Sequence, residues 1–198
     1  MNFNSEQPAW SENVILVDGD YVDKVAFNLI VNFERMIGRR IPKADTARWL
    51  DCVALDGGLR EGTGSVQVVF MHSPQASALE NFTPGSYGSE LDGKAFSDHL
   101  GEFLISAVSA EGAGSVGTLF AEATGIVCSA KEVRRVMLVP NAEEYYGSVR
   151  DALRHADSGK HVTVFAMEPM PGGGFSQEIL GYSLMSALGI RAEEIRPE

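Results

Sequence analysis

Short apolar runs alternate with longer amphipathic stretches along the chain. Residues 14–18 (VILVD), 66–71 (VQVVFM), 134–139 (RRVMLV) and 161–166 (HVTVFA) are compact, apolar and rich in β-branched residues. Runs without a regular polar stripe suit strands buried on both faces, as in a parallel sheet. Between the first two, residues 21–37 place Val22, Val25, Ala26, Leu29, Phe33 and Ile37 at roughly helical spacing. Residues 45–56 open on Asp45-Thr46, a plausible helix cap, and continue through Trp49, Leu50, Val53 and Ala54. Residues 95–110 read as a helix through Phe96, Leu100, Phe103, Leu104, Ala107 and Val108, and 143–156 and 175–188 read as two more. Glycine-rich segments around 57–64, 81–93, 112–117 and 172–174 read as loops.

Alternating strands and helices predict an α/β fold with right-handed crossovers. The expectation is three layers, Rossmann-like, with a mainly parallel central sheet and helices on both faces. No internal repeat or linker divides the chain, so one domain is expected over residues 1–198, with 1–12 as a polar N-terminal tail. In such sheets ligands bind beyond the carboxyl ends of the strands. Asp18 ends the first strand, with Asp20 and Asp23 close behind. Asn141, Glu143 and Glu144 follow the strand that ends at Val139. Each acid alone also suits a helix N-terminus, where it complements the macrodipole.

Composition narrows the classes. An apolar fraction of 44% over 198 residues supports a sizeable core. No apolar stretch is long enough to span a bilayer, so no membrane partner is expected. The start MNFNSEQPAWSE lacks the basic and apolar regions of a secretory signal. Cys52 and Cys128 are far apart and in no paired motif, which points to a reducing cytoplasm. The net charge of −11 argues against a broad phosphate-binding platform, although Arg35, Arg39, Arg40, Lys43 and Arg48 cluster locally, as do Lys131, Arg134 and Arg135.

The segment ILVDGDYVD, residues 15–23, resembles the first motif of the NYN branch of PIN-like nucleases, an apolar run followed by D-G-x-N. Lys94 and Asp98 in KAFSDHLGEFLI resemble the second motif. VMLVPNAEEYYGSVRDAL resembles the third, a strand running into an acidic helix start. Ser176 to Leu180 resembles the late loop-to-helix segment of that family. The resemblance runs in order from residue 14 to about 190. It implies a PIN-like fold and Mg²⁺- or Mn²⁺-dependent hydrolysis of RNA phosphodiesters, since hard cations take carboxylate ligands and activate water. Asp18, Asp98 and Glu144 would be the catalytic metal ligands, with Asp20, Glu143, Asn141 and Ser176 in support. The third motif departs from the family pattern: Ala142 stands where its first Asp belongs, and Glu144 where its second does. Tyr21 replaces the first motif's Asn.

Two alternatives stay open. One is a PIN-like binding or interaction module without chemistry. The other is a haloacid dehalogenase-like phosphatase, which ILVDGDYV also resembles. There Asp18 would be the nucleophile, Asp20 the general acid/base, and Ser73 with Lys94 or Lys131 the auxiliary groups. Acids following Pro140-Asn141-Ala142 arrive later than that family's last motif requires. Tyr87, Tyr145 and Tyr146 are candidates either for base stacking or for ordinary packing. The glycine run at 172–174 lacks the Lys-Ser/Thr of a phosphate-binding loop. A homodimer is a candidate assembly.

Overall fold

The computed structural model describes residues 9–62, 64–157 and 159–196. In chain order the elements are β1 (Asn13–Asp18), α1 (Gly19–Ile37), β2 (Ala44–Asp45), α2 (Thr46–Asp56), β3 (Val66–His72), β4 (Phe82–Thr83), β5 (Lys94–Asp98), β6 (Gly101–Ser109), α3 (Val116–Ser129), β7 (Arg135–Val139), α4 (Ala142–Leu153), β8 (His161–Ala166), β9 (Ser176–Ile179) and α5 (Leu180–Ala187). Among the described residues, seven strands form one sheet in the order β5-β6-β3-β1-β7-β8-β9. All neighbours pair in parallel except β5, which runs antiparallel to β6. β2 and β4 make a separate short pair.

The apolar runs become the central strands because both faces of the sheet are covered. Alternation along β1 sends Ile15 and Val17 into a core shared with α1, α2 and α5. Val14 and Leu16 enter a second core with α3 and α4. Trp49 is fully buried in the first core, where its ring meets Phe82 edge-on at 5.6 Å and its indole N–H donates to Ser183 Oγ at 3.1 Å. Full burial of each large aliphatic side chain contributes about 1.5–3 kcal/mol against exposure. The result is an α/β sheet with helices on both faces, compatible with a Rossmann-like fold.

Four expectations need correction. Residues 175–188 are not one helix: Ser176–Ile179 form the edge strand β9, and only Leu180–Ala187 are helical. Residues 95–110 are not a helix but the β5–β6 hairpin, with Phe96 opposite Phe103 and their rings stacked at 4.6 Å. Phe103 and Ile105 face inward while Leu104 faces outward, a strand period that the helical spacing of the same apolar residues conceals. Residues 116–129, to which the apolar pattern assigns no element, form α3, capped by Ser115 Oγ accepting from Thr118 N at 3.0 Å. Of the expected polar tail, residues 1–8 lie outside the described residues. Trp10 N donates to Glu132 Oε1 at 3.1 Å, and the Glu12 carbonyl accepts from the backbone of Arg134 and Arg135, so the chain is already fastened before β1 begins.

At the other end, Arg39 grips Glu194 through two bonds of 2.6 and 2.9 Å and also donates to the Gly189 carbonyl at 3.0 Å. No helix among the described residues is long and apolar enough to cross a membrane. From β1 the chain winds outward through β3 and β6, then crosses to the other side of β1 to start β7. The winding therefore reverses between β1 and β7. Val17 is level with Val139 there, so Asp18 and the β7–α4 junction face one another across the switch point where such sheets bind ligands.

Candidate functional site

Asp18 is the last residue of β1 and the N-cap of α1. Its backbone is extended, and its Oδ1 accepts from Tyr21 N at 3.0 Å, which satisfies an orphan amide of the first turn. Its Oδ2 accepts from the Tyr145 hydroxyl at 2.7 Å. The same hydroxyl accepts from Asn141 N at 3.1 Å, so Tyr145 spans the tips of β1 and β7.

Two local features allow that reach. Tyr145 leaves helical geometry inside α4, at φ −133° and ψ 29°, which turns its side chain toward β1. Its ring lies over Gly117 at the start of α3, where a Cβ would come within 2.7 Å of the ring, and it rests against Phe120 at 5.8 Å. Asp18 is 4% exposed. Burial raises its pKa from 3.8 to about 6, and the Asp20 and Glu144 charges push the same way, while the bonds from Tyr145 and Tyr21 N pull it down. Burial beside this carboxylate holds the Tyr145 hydroxyl firmly protonated.

The neighbouring acids have separate tasks. Asp20 Oδ2 accepts from Ser73 N at 2.8 Å and fastens α1 to the end of β3. Asp23 accepts from Glu80 N, Asn81 N and Asn81 Nδ2 at 3.0, 2.8 and 3.0 Å, which anchors the loop before β4. Glu144 Oε2 accepts from Asn141 Nδ2 at 3.2 Å. Glu143 lies beside the buried Tyr21 hydroxyl, which makes no hydrogen bond of good geometry; burial first, then this carboxylate, raises that tyrosine's pKa. On the opposite flank, Tyr87 stacks on His72 with centroids 4.0 Å apart. Its hydroxyl occupies the space a Cβ on Gly19 would need.

The structure thus brings together Asp18, Asp20, Asn141, Glu143 and Glu144 at the switch point. It does not bring Asp98 or Ser176 there. Asp98 pairs with Gly101, seven residues before Val108, and Val108 is level with Asp18 through Met71. At about 3.3 Å per residue that is an offset of roughly 23 Å along the strands, which puts Asp98 at the amino end of the parallel strands. It approaches Asp51 instead, whose carboxyl is pushed up to about 7 by burial, by Asp98 and by Asp45. Ser176 begins β9, three strands from β1 and level with Ile15 through Thr163 and Met137.

This donor set does not fit the cation implied by the resemblance. Both Asp18 oxygens are already engaged, Asp98 is at the wrong end of the sheet, and Glu144 faces Asn141. Among the described residues, no three His, Cys, Asp or Glu side chains are grouped closely enough to hold one metal ion. What sequence reasoning missed is the bridging role of Tyr145. No local spacing signals it, because its partner lies 127 residues away.

Compared with known proteins, residues 7–195 match a family of unknown function (DUF6621), and the chain belongs to that family. No curated protein matches it, and no solved structure does.

Proposed function

For this member of DUF6621 we propose a PIN-like module that binds rather than cleaves, built on a nuclease-type scaffold whose acidic centre is closed. The observation that carries this reading is the Tyr145 hydroxyl bridging Asp18 Oδ2 at 2.7 Å and Asn141 N at 3.1 Å. A nuclease of the resembled kind needs the strand-tip carboxylate open to a cation and a scissile phosphate. Here a protein hydroxyl occupies that face of Asp18, and burial works against the charged form that a cation needs. Ala142, where the family pattern has an acid, is consistent with the same loss. The phosphatase alternative loses support on the same grounds, because it requires Asp18 as a free nucleophile and Asp20 as a mobile proton donor, and Asp20 is fixed on Ser73 N.

The test is calorimetric titration of Mg²⁺ and Mn²⁺ into the wild type, Asp18→Asn and Tyr145→Phe, with RNA and phosphate-ester hydrolysis assayed in parallel. The expected result is no Asp18-dependent metal binding and no turnover by the wild type. Metal binding that vanishes in Asp18→Asn, together with RNA cleavage, would sink the module reading and restore the nuclease.

A further inference from the structure

A sheet edge presents a row of backbone N–H and C=O groups that a second chain can pair with, and folded proteins usually blunt it. The seven-stranded sheet has two edges, β5 and β9. At β9 the Gln177 side chain folds onto the preceding loop, accepting from Met170 N at 2.9 Å and donating to Met170 O at 2.7 Å. At β5, Lys94, Ala95, Ser97 and Asp98 are exposed and Phe96 is half-buried. Among the described residues β5 pairs with β6 alone, and no proline interrupts it. In an antiparallel pair, successive residues turn their backbone groups alternately toward and away from the neighbouring strand. Every second residue of β5 therefore points its N–H and C=O outward.

The sequence of this edge is complementary to itself. β5 reads Lys94-Ala95-Phe96-Ser97-Asp98. Paired antiparallel with a second copy about Phe96, it sets Lys94 of each chain opposite Asp98 of the other, Ala95 opposite Ser97, and Phe96 opposite Phe96. Residues directly opposite one another lie on the same face with Cβ atoms about 4.5–5.5 Å apart, close enough for opposite charges to attract. Alternation puts Lys94, Phe96 and Asp98 on one face, the face on which Phe96 packs against the first core. Neither charge is answered within its own chain. Among the described residues no ion pair engages Lys94 or Asp98, and Asp98 stands beside Asp51, a like charge. The Phe96 ring lies on that of Phe103 at 4.6 Å, and a second Phe96 across the axis extends this aromatic row over the seam. The other edge, Ser176-Gln177-Glu178-Ile179, has no such symmetry: antiparallel self-pairing sets Gln177 opposite Glu178 and Ser176 opposite Ile179.

We propose that β5 is a dimerisation edge, along which two copies of this chain pair antiparallel, joining their sheets into one, with reciprocal Lys94–Asp98 ion pairs fixing the register. A slip by two residues, the smallest that keeps the faces matched, loses both ion pairs. The contact uses the same patch on both copies, so it closes at the dimer. It is independent of the reading of Asp18, because β5 lies three strands from β1.

The experiment measures the mass of the full chain by sedimentation equilibrium from about 1 to about 500 µM, a span that covers weak as well as firm dimers. The expected result is a concentration-dependent rise to twice the mass of one chain and no further. Amide exchange along β5 should slow over the same range. Lys94→Glu sets acid against acid at both ends of the seam, and Asp98→Lys sets lysine against lysine. Each variant alone should weaken the dimer at least about tenfold. Mixed in equal amounts, the two variants are complementary again at both ends, and a heterodimer close to wild-type strength should form. Both positions are exposed, and recovery in the mixture reports pairing even where one variant is the less stable. Four outcomes each overturn the proposal: a chain monomeric throughout, a mass that climbs past the dimer, variants that dimerise as well as the wild type, and a mixture that stays monomeric.

Discussion

Asp18 is a buried acid at the switch point. Its carboxyl binds a proton more tightly in the folded chain, at about 6, than the ordinary value of 3.8. A raised acid pKa favours the folded state fully below 3.8, and that advantage is lost as pH climbs through about 6. A rise of this size corresponds to about 3 kcal/mol. Denaturant unfolding across pH 4 to 8 should therefore show a decline in stability centred between 4 and 6. Asp18→Asn should remove most of that decline, and a variant that declines as steeply as wild type would refute the assignment. Tyr145→Phe deletes a hydrogen bond that favours the carboxylate. The Asp18 carboxyl resonance should then titrate at higher pH than in the wild type, and an unchanged or lower midpoint would show that the bridge does not act on it. Asp18 itself is legible in the sequence, because a fully apolar strand rarely ends in an acid without a capping or chemical reason. Its partner is not: Tyr145 shows itself only once β1 and β7 are neighbours.

The packing of α3 against α4 decides whether that bridge exists. Gly117 opens the slot in which the Tyr145 ring lies, and a methyl group there meets the ring at 2.7 Å. Gly117→Ala should cost about 1–3 kcal/mol by overpacking. In a Tyr145→Ala background the same substitution should cost distinctly less, since the clashing ring is gone. Additive effects in that double-mutant cycle would mean that Gly117 serves some other purpose. The strands of the parallel sheet are readable because burial on both faces leaves an unbroken apolar signature, as in VILV and VQVVFM. The β5–β6 hairpin is hidden because Phe96, Leu100, Phe103, Leu104, Ala107 and Val108 satisfy a three-to-four spacing as well as an alternation. Reading it as a helix also carries Asp98 into the wrong place. In the hairpin its carboxyl faces Asp51, and the proton that relieves their repulsion is lost as pH rises through about 7. The raised pKa makes this contact a stabilising one only on the acid side. Thermal unfolding from pH 4 to 8 should show a loss of stability, largely complete just above pH 7, that Asp98→Asn flattens, and a loss unchanged by that substitution would separate the two carboxyls. The helix α3 is obscure for a different reason: LFAEATGIVC is apolar on nearly every side, which blurs the one-faced pattern that marks a surface helix.

Across the whole molecule, charge is distributed unevenly rather than merely in excess. The chain carries −11 overall, yet its visible ion pairs lie elsewhere: Arg39 with Glu194, Arg134 with Glu12, and Arg154 with Asp151. Asp18, Asp20, Glu143, Glu144 and Glu168 crowd the carboxyl end of the sheet. Such a grouping destabilises the compact state by self-repulsion and at the same time raises the local concentration of cations. Salt separates these effects. Going from about 0.05 to about 0.5 M NaCl shortens the screening length from about 14 Å to about 4 Å. Relief of about 1 kcal/mol of repulsion would raise Tm by about 2–4 °C in a chain of this size. The Glu143→Gln, Glu144→Gln double variant should start at a higher Tm in low salt and gain less from added salt. Glu12→Gln, which removes an acid already facing Arg134, should leave the salt response of the wild type intact. If the double variant responded to salt as fully as the wild type, the repulsion would have to reside elsewhere on the surface. The carboxyl end of the sheet would then lose its claim to be the molecule's cation-attracting face.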